Sequence, residues 1–291
     1  MMIRNLLLIA SFCLFNSSAF ATGWNQKIIL AKQNREIEIS ELALNLVFAR
    51  NVILGEKHNT TSIQMAQARV IESVVELAPK DHFTTAWEFL NYSSQVSIDT
   101  AFERFKKGDI SAKEFLTLTQ GSSKYESYAP ILEVTKKFQG KLIGVNLSRA
   151  DKDPVVQGGL SNAKPGTIPA QFQLGGAHYL ERFITSMQGH ATEDQIQNYF
   201  AAQCLTDDVI AVQMLADTGA DRRFLVVGSF HSDYFDGTVA RLMHRAPDQN
   251  LAVVRFIDAS DYKEEELKQI SADPKYGLIA DFIYFVNEPV N

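Results

Sequence analysis

Short apolar runs alternate with longer stretches of helical spacing along most of this chain, and no other feature constrains its fold as much. The runs cover residues 51–54 (NVIL), 84–90, 141–147, 223–230, 251–257 (LAVVRFI) and 281–286. Several are almost continuously apolar, as expected of strands covered on both faces. Between the first two, apolar residues at 63, 66, 70, 74 and 77 form one helical stripe. Further helices are predicted over 128–138 and 237–244, the second with Asp236 as its N-cap. This alternation predicts an α/β fold, a mostly parallel sheet with helices on both faces. Two stretches, about 93–127 and 150–203, break the pattern. The second holds Gly158-Gly159, Pro165-Gly166 and Gly175-Gly176, with helical spacing over 179–187 and 193–205. Both are read as insertions that build a small helical cap, within a single domain spanning 22–291.

Residues 1–21 stand apart from that domain. Arg4 precedes a ten-residue apolar run, and 17–21 end in a small-x-small pattern. This is the layout of a secretory signal peptide cut after Ala21. The run is too short to span a bilayer, which takes about 20 apolar residues. Bulky Phe12 before Cys13 argues against a lipoprotein anchor, so the expected location is the periplasm or cell envelope. Cleavage leaves Cys204 alone, which excludes an intramolecular disulfide and predicts a buried small hydrophobe. A chain that is 46% hydrophobic and 21% charged can supply the core that a disulfide-free exported domain needs. The net charge of −6 and the lack of a basic tract argue against nucleic acid as a partner. No segment after the leader is apolar enough to cross a membrane.

The strands stop at polar residues. The first run leads into Gly55-Glu56-Lys57-His58, the second carries Glu88, the third Asn146 and then Arg149, and the fourth ends at Gly228-Ser229-Phe230-His231. Ligand crevices of open parallel sheets lie beyond the carboxyl ends of the strands, so Glu56, His58, Glu88, Asn146, Arg149 and His231 are expected along one edge. Two G-x-x-H segments, each straight after an apolar run, place an imidazole where it can ligate a metal or act as a base. The plainer alternative ties the two histidines into hydrogen bonds and pairs Glu56 and Glu88 with Arg149 as a structural ion network. Trp87 is expected in the core, and His82, His190 and His244 at the surface. Dinucleotide, P-loop, zincin and nucleophile-elbow motifs are absent.

One ordered set of segments carries a family likeness: Val52–His58, Ala86-Trp87-Glu88, 128–133, 143–149, 203–211 and 227–231. In this order they resemble the haem-binding uptake family related to ChaN, in a larger group with Tiki-type proteases, TraB proteins and erythromycin esterases. Gln203, Asp207 and Ala211 match the family's Gln-x-x-x-Asp-x-x-x-Ala pattern, with Ile210 where Met is usual. The resemblance implies a parallel α/β sheet with a helical cap, and binding of haem or a related iron ligand at a bacterial cell envelope. In that reading Arg149 meets a propionate, and His58, His231, His178, Tyr179 or Tyr199 ligates iron. A hydrolase remains the alternative: Glu56, His58, Glu88 and His231 would hold a divalent metal or activate water, with Arg149 stabilising the developing anion. The expected partner is haem or an iron-containing small ligand, with a homodimer left open.

Overall fold

The computed structural model of the chain describes residues 26–187 and 191–287. The expected signal peptide and His190 lie outside the described residues. In chain order the strands are β1 (Lys27–Leu30), β2 (Arg35–Ile37), β3 (Asn51–Glu56), β4 (Phe83–Asn91) and β5 (Lys141–Asn146). They continue with β6 (Arg222–Gly228), β7 (Leu251–Asp258), β8 (Ala272–Asp273), β9 (Gly277–Leu278) and β10 (Phe282–Val286). Eight of them form one sheet in the order β2-β1-β10-β7-β3-β6-β4-β5, and β8 pairs only with β9. The six strands from β10 to β5 run parallel; β1 joins antiparallel to β10, and β2 antiparallel to β1. The α/β sheet expected from the sequence is therefore present, with an added antiparallel edge.

Ten helices connect the strands among the described residues. They are α1 (Ile39–Leu46), α2 (Thr61–Leu77), α3 (Gln95–Lys107), α4 (Ala112–Gln120) and α5 (Ala129–Lys137), then α6 (Arg149–Gly158), α7 (Ala177–Met187), α8 (Glu193–Ala216), α9 (Gly237–Arg245) and α10 (Glu264–Gln269). The two-residue period of a strand sends alternate side chains to opposite faces. Val52, Leu54, Phe224 and Val226 pack under the first five helices, while Ile53, Leu225, Val227 and Val253 pack under α8 and α9. Both faces are covered, which is why these runs carry almost no polar residues.

The two insertions play different parts. α3 and α4 bury Phe102, Phe105, Phe115 and Leu116 in the larger core cluster. The Gln95 side chain clips onto the open edge of β5, accepting from Gly144 N at 2.8 Å and donating to Leu142 O at 3.0 Å. The first insertion thus shields a sheet edge that would otherwise invite pairing. Only the second, through α7 and the first half of α8, reaches over the strand ends. Asp236 does precede α9, but its carboxylate takes Arg182 at 2.9 Å and makes no cap bond. Cys204 and Trp87 are buried, as expected. Among the described residues no helix is long and apolar enough to cross a membrane.

Candidate functional site

Strand β3 lies at the centre of the sheet, between β6 and β7, and the chain leaves it first toward β4 and β5, then returns to β6 before crossing to β7. The crevice of such a sheet opens where the direction of travel reverses. β3 ends there on Glu56, only 2% exposed. A turn with Asn59 in the left-handed region (φ 55°) then carries His58 back over the strand end. Glu56 Oε1 lies 2.9 Å from His58 Nδ1 and accepts the Tyr128 hydroxyl, and Oε2 accepts from Gln64 Nε2 at 2.9 Å.

β4 delivers Glu88 and β6 delivers His231 to the same place. Glu88 Oε2 accepts from the Gly228 amide at 2.6 Å, and Oε1 lies 3.2 Å from His231 Nε2. His58 Nε2 approaches Glu88 from the other side at 3.9 Å. Gly228 makes this convergence sterically possible, because a Cβ there would fall 2.6 Å from His58 Nε2. His231 Nδ1 sits 2.6 Å from Asp207 Oδ1 on α8. Asp207 also accepts the hydroxyls of Thr238 at 2.9 Å and Tyr179 at 2.7 Å. Acids and bases therefore alternate in a chain running Tyr128, Glu56, His58, Glu88, His231, Asp207, Tyr179.

Burial opposes charge on Glu88, His231 and His58, so neighbours decide their protonation states. For Glu88 burial pushes the pKa up, but the charge and hydrogen bond of His231, His58 and the Gly228 amide bring it down to about 2. For His231 burial pushes down, and the flanking carboxylates of Glu88 and Asp207 raise it to about 10. Burial also lowers His58, yet the Glu56 hydrogen bond and the Glu88 charge leave its pKa raised. Burial and then Glu56 hold the Tyr128 phenol far above its usual value. At neutral pH His231 is thus a fixed imidazolium between two carboxylates. Burial beside Asp207 pushes the Cys204 thiol up to about 12, which keeps it inert.

Above the chain opens a cavity of about 540 Å³. Glu56, His58, Gln203 and His231 line it together with Phe183, Phe230, Phe256 and Tyr262. Of the residues expected at the crevice, Glu56, His58, Glu88 and His231 come together. Asn146 and Arg149 do not. Asn146 turns its side chain to the Leu147 amide at 2.8 Å, and Arg149 is exposed on the first turn of α6. No ion network joins Arg149 to either glutamate; the histidines take that role. The cap candidates also lie off the cavity wall. His178 is exposed against the Tyr276 ring, Tyr179 is buried on Asp207, and Tyr199 packs half-buried in an aromatic cluster. His82 and His244 are exposed. Among the described residues, no group of three or more His, Cys, Asp or Glu side chains is placed to share a metal ion.

Sequence reasoning assigned no role to Gln64 or Arg255, and touched Tyr128, Gln203 and Asp207 only as parts of the family-like segments. Gln203 and Asp207 were separated by one helical turn, and two polar residues at that spacing in an apolar helix share a buried face. Tyr128 and Gln64 carried no such signal, since only the fold brings them to Glu56.

The matching family model, described as haem-binding uptake, Tiki superfamily, ChaN, covers residues 42–242. A search of curated proteins found no match. Among solved structures, one of cofacial haem binding to ChaN of Campylobacter jejuni superposes with a TM-score of 0.70 at 19% identity, covering 90% of this chain and 97% of that one. The type III effector HopBA1 (TM-score 0.48, 11% identity) covers 86% of this chain and 93% of its own. A succinoglycan biosynthesis protein (TM-score 0.48, 12% identity) covers 85% and 90%. With most of its length inside the family model and the ChaN fold throughout, the chain belongs to the haem-binding uptake, ChaN family of the Tiki superfamily.

Proposed function

We propose that the protein binds haem, or a closely related iron-containing ligand, in the cavity beyond β3, β6 and β7, and handles it during haem or iron uptake at the cell envelope. The observation that carries this reading is the cavity of about 540 Å³, walled by Phe183, Phe230 and Tyr262 and edged by His58. Cofactor sites typically measure about 300–1,000 Å³, and this one sets aromatic side chains against several polar and charged ones. Aromatic walls suit a flat macrocycle, and family membership supplies the ligand class.

The residues present fit that group. Haem brings an iron that takes an axial side chain, and imidazole and phenol are both among its ligands. His58 is 38% exposed at its side chain, with Nδ1 turned to Glu56. A carboxylate on the second nitrogen is the usual way a ligating histidine is oriented. Tyr262, also 38% exposed, is the tyrosine on the cavity wall. His231 is spent on its two carboxylates. Haemin titrated into the protein should produce a Soret shift that persists in His178→Ala and Tyr199→Phe and is lost when His58→Ala and Tyr262→Phe are combined. No shift in the wild type, or an intact shift in the combined variant, overturns the reading.

Export belongs to the same proposal and is supported by the layout of residues 1–21. Terminal sequencing of the secreted chain should begin at Thr22; retention of Met1 would contradict it. A hydrolytic reading rests on one feature, the Glu56–His58 pair, because a carboxylate-oriented imidazole can take a proton from water. Ester or peptide cleavage that disappears in Glu56→Gln would favour it, and a lack of any such cleavage would remove it.

A further inference from the structure

Arg255 is the one charged residue in the run 251–257. Its neighbours on the same face of β7, Val253 and Ile257, belong to the apolar cluster under α8 and α9. The residue is only 9% exposed, yet it lines the cavity. A guanidinium keeps its proton in proteins, so where it is buried it must be matched by acceptors.

That match is incomplete within the protein. Nε lies 3.0 Å from Asp233 Oδ1, but outside hydrogen-bonding geometry, and both atoms remain without a hydrogen-bond partner. Nη1 donates to the Phe256 carbonyl. Nη2 makes no hydrogen bond among the described residues. Arg182 donates to the backbone carbonyl of Asp233 at 2.8 Å and takes its own carboxylate from Asp236 at 2.9 Å, so Asp233 is the carboxylate beside Arg255. Lys57, also on the wall, is held by both carboxylate oxygens of Asp261, at 2.8 and 2.7 Å. Nε stays buried against Asp233, so the donors Arg255 brings to the cavity are those of its terminal nitrogens, with Nη2 unused, in the planar group that matches a carboxylate.

We propose that Arg255 is the carboxylate-binding residue of this cavity, taking one propionate of haem on its unsatisfied guanidinium donors. The assignment rests on the haem reading and moves the propionate contact from the exposed Arg149 to a buried strand residue. It also explains why the otherwise apolar run 251–257 carries a buried charge that its own fold leaves partly unbonded.

The test compares haemin with haemin dimethyl ester, which lacks both carboxylates, by Soret titration of wild type, Arg255→Gln and Arg255→Lys. Wild type should prefer the free acid by roughly 10-fold to 100-fold, the range of a charge-assisted hydrogen bond. Arg255→Gln should bind the two alike, and Arg255→Lys should fall between. An unchanged preference in Arg255→Gln overturns the assignment while haem binding stands. Uptake of neither porphyrin by the wild type removes the haem reading and this assignment with it. Because Arg255→Gln leaves Asp233 short of a cation, the combined Asp233→Asn and Arg255→Gln variant serves where the single one fails to fold. It too must lose the preference.

Discussion

His231 holds its proton because carboxylates meet both of its nitrogens, Asp207 at 2.6 Å and Glu88 at 3.2 Å. Its pKa rises from 6.5 to about 10, so its contribution to stability is complete below 6.5 and is lost as the pH climbs through about 10. Glu88 falls from 4.5 to about 2, so its contribution is complete above 4.5 and is lost as the pH drops through about 2. The melting-temperature advantage of wild type over His231→Gln should therefore peak between pH 4.5 and 6.5 and shrink on both sides. A difference that stays flat from pH 2 to 10 contradicts this charge assignment. Gly228 supplies a second residue-scale prediction. Its backbone suits any residue (φ −58°, ψ 140°), so Gly228→Ala should fold normally but push His58 aside and weaken haem uptake. Unaltered uptake would mean that His58 is not where the ligand binds. Glu56, His58, Glu88 and His231 were legible in the sequence because each stands at or near the end of an apolar run, and the adjacent strands β3, β6 and β4 bring them together. Arg149 stands apart from that group because it follows β5, the outermost strand, on the exposed first turn of a helix.

Helix α8 links the cap to this cluster. Thr192 caps it through a reciprocal pair with Gln195, and its 24 residues run from the protein surface to beneath the sheet. Sequence patterning traced it only to about residue 205. From Phe200 onward it is buried on most sides, with Asp207 and Asp208 as enclosed as Leu205 and Ile210, so no single apolar stripe remains to be read. Its polar residues are matched by other elements: Arg245 of α9 takes Asp208 at 2.7 and 2.6 Å, and Asp207 serves Tyr179, Thr238 and His231. Asp207→Ala would strip an imidazolium of one carboxylate and two hydroxyls of their acceptor. Breaking a buried pair this way costs about 3–5 kcal/mol, which urea unfolding should reveal. A loss below about 1 kcal/mol would mean that the cluster is not an energetic unit. The short β1 and β2 went unread for a different reason. At four and three residues, with polar side chains among them, they lack the length and alternation that mark a strand.

At the scale of the whole molecule, the parallel sheet follows from apolar runs that only burial on both faces explains, and the position of the site follows from strand order. Strand order is not written in those runs. It emerges when β6 returns to lie between β3 and β4, and that insertion brings His231 to Glu88. The same rearrangement sets apart the two insertions, one sealing the β5 edge and the other roofing the cavity. The central claim is that this roofed cavity holds haem. Crystals of the haemin complex, measured at the iron absorption edge, test it most directly. Haem in this cavity would give an iron peak beside His58 or Tyr262, with a propionate toward Arg255. An iron peak elsewhere on the molecule, or none, would contradict it.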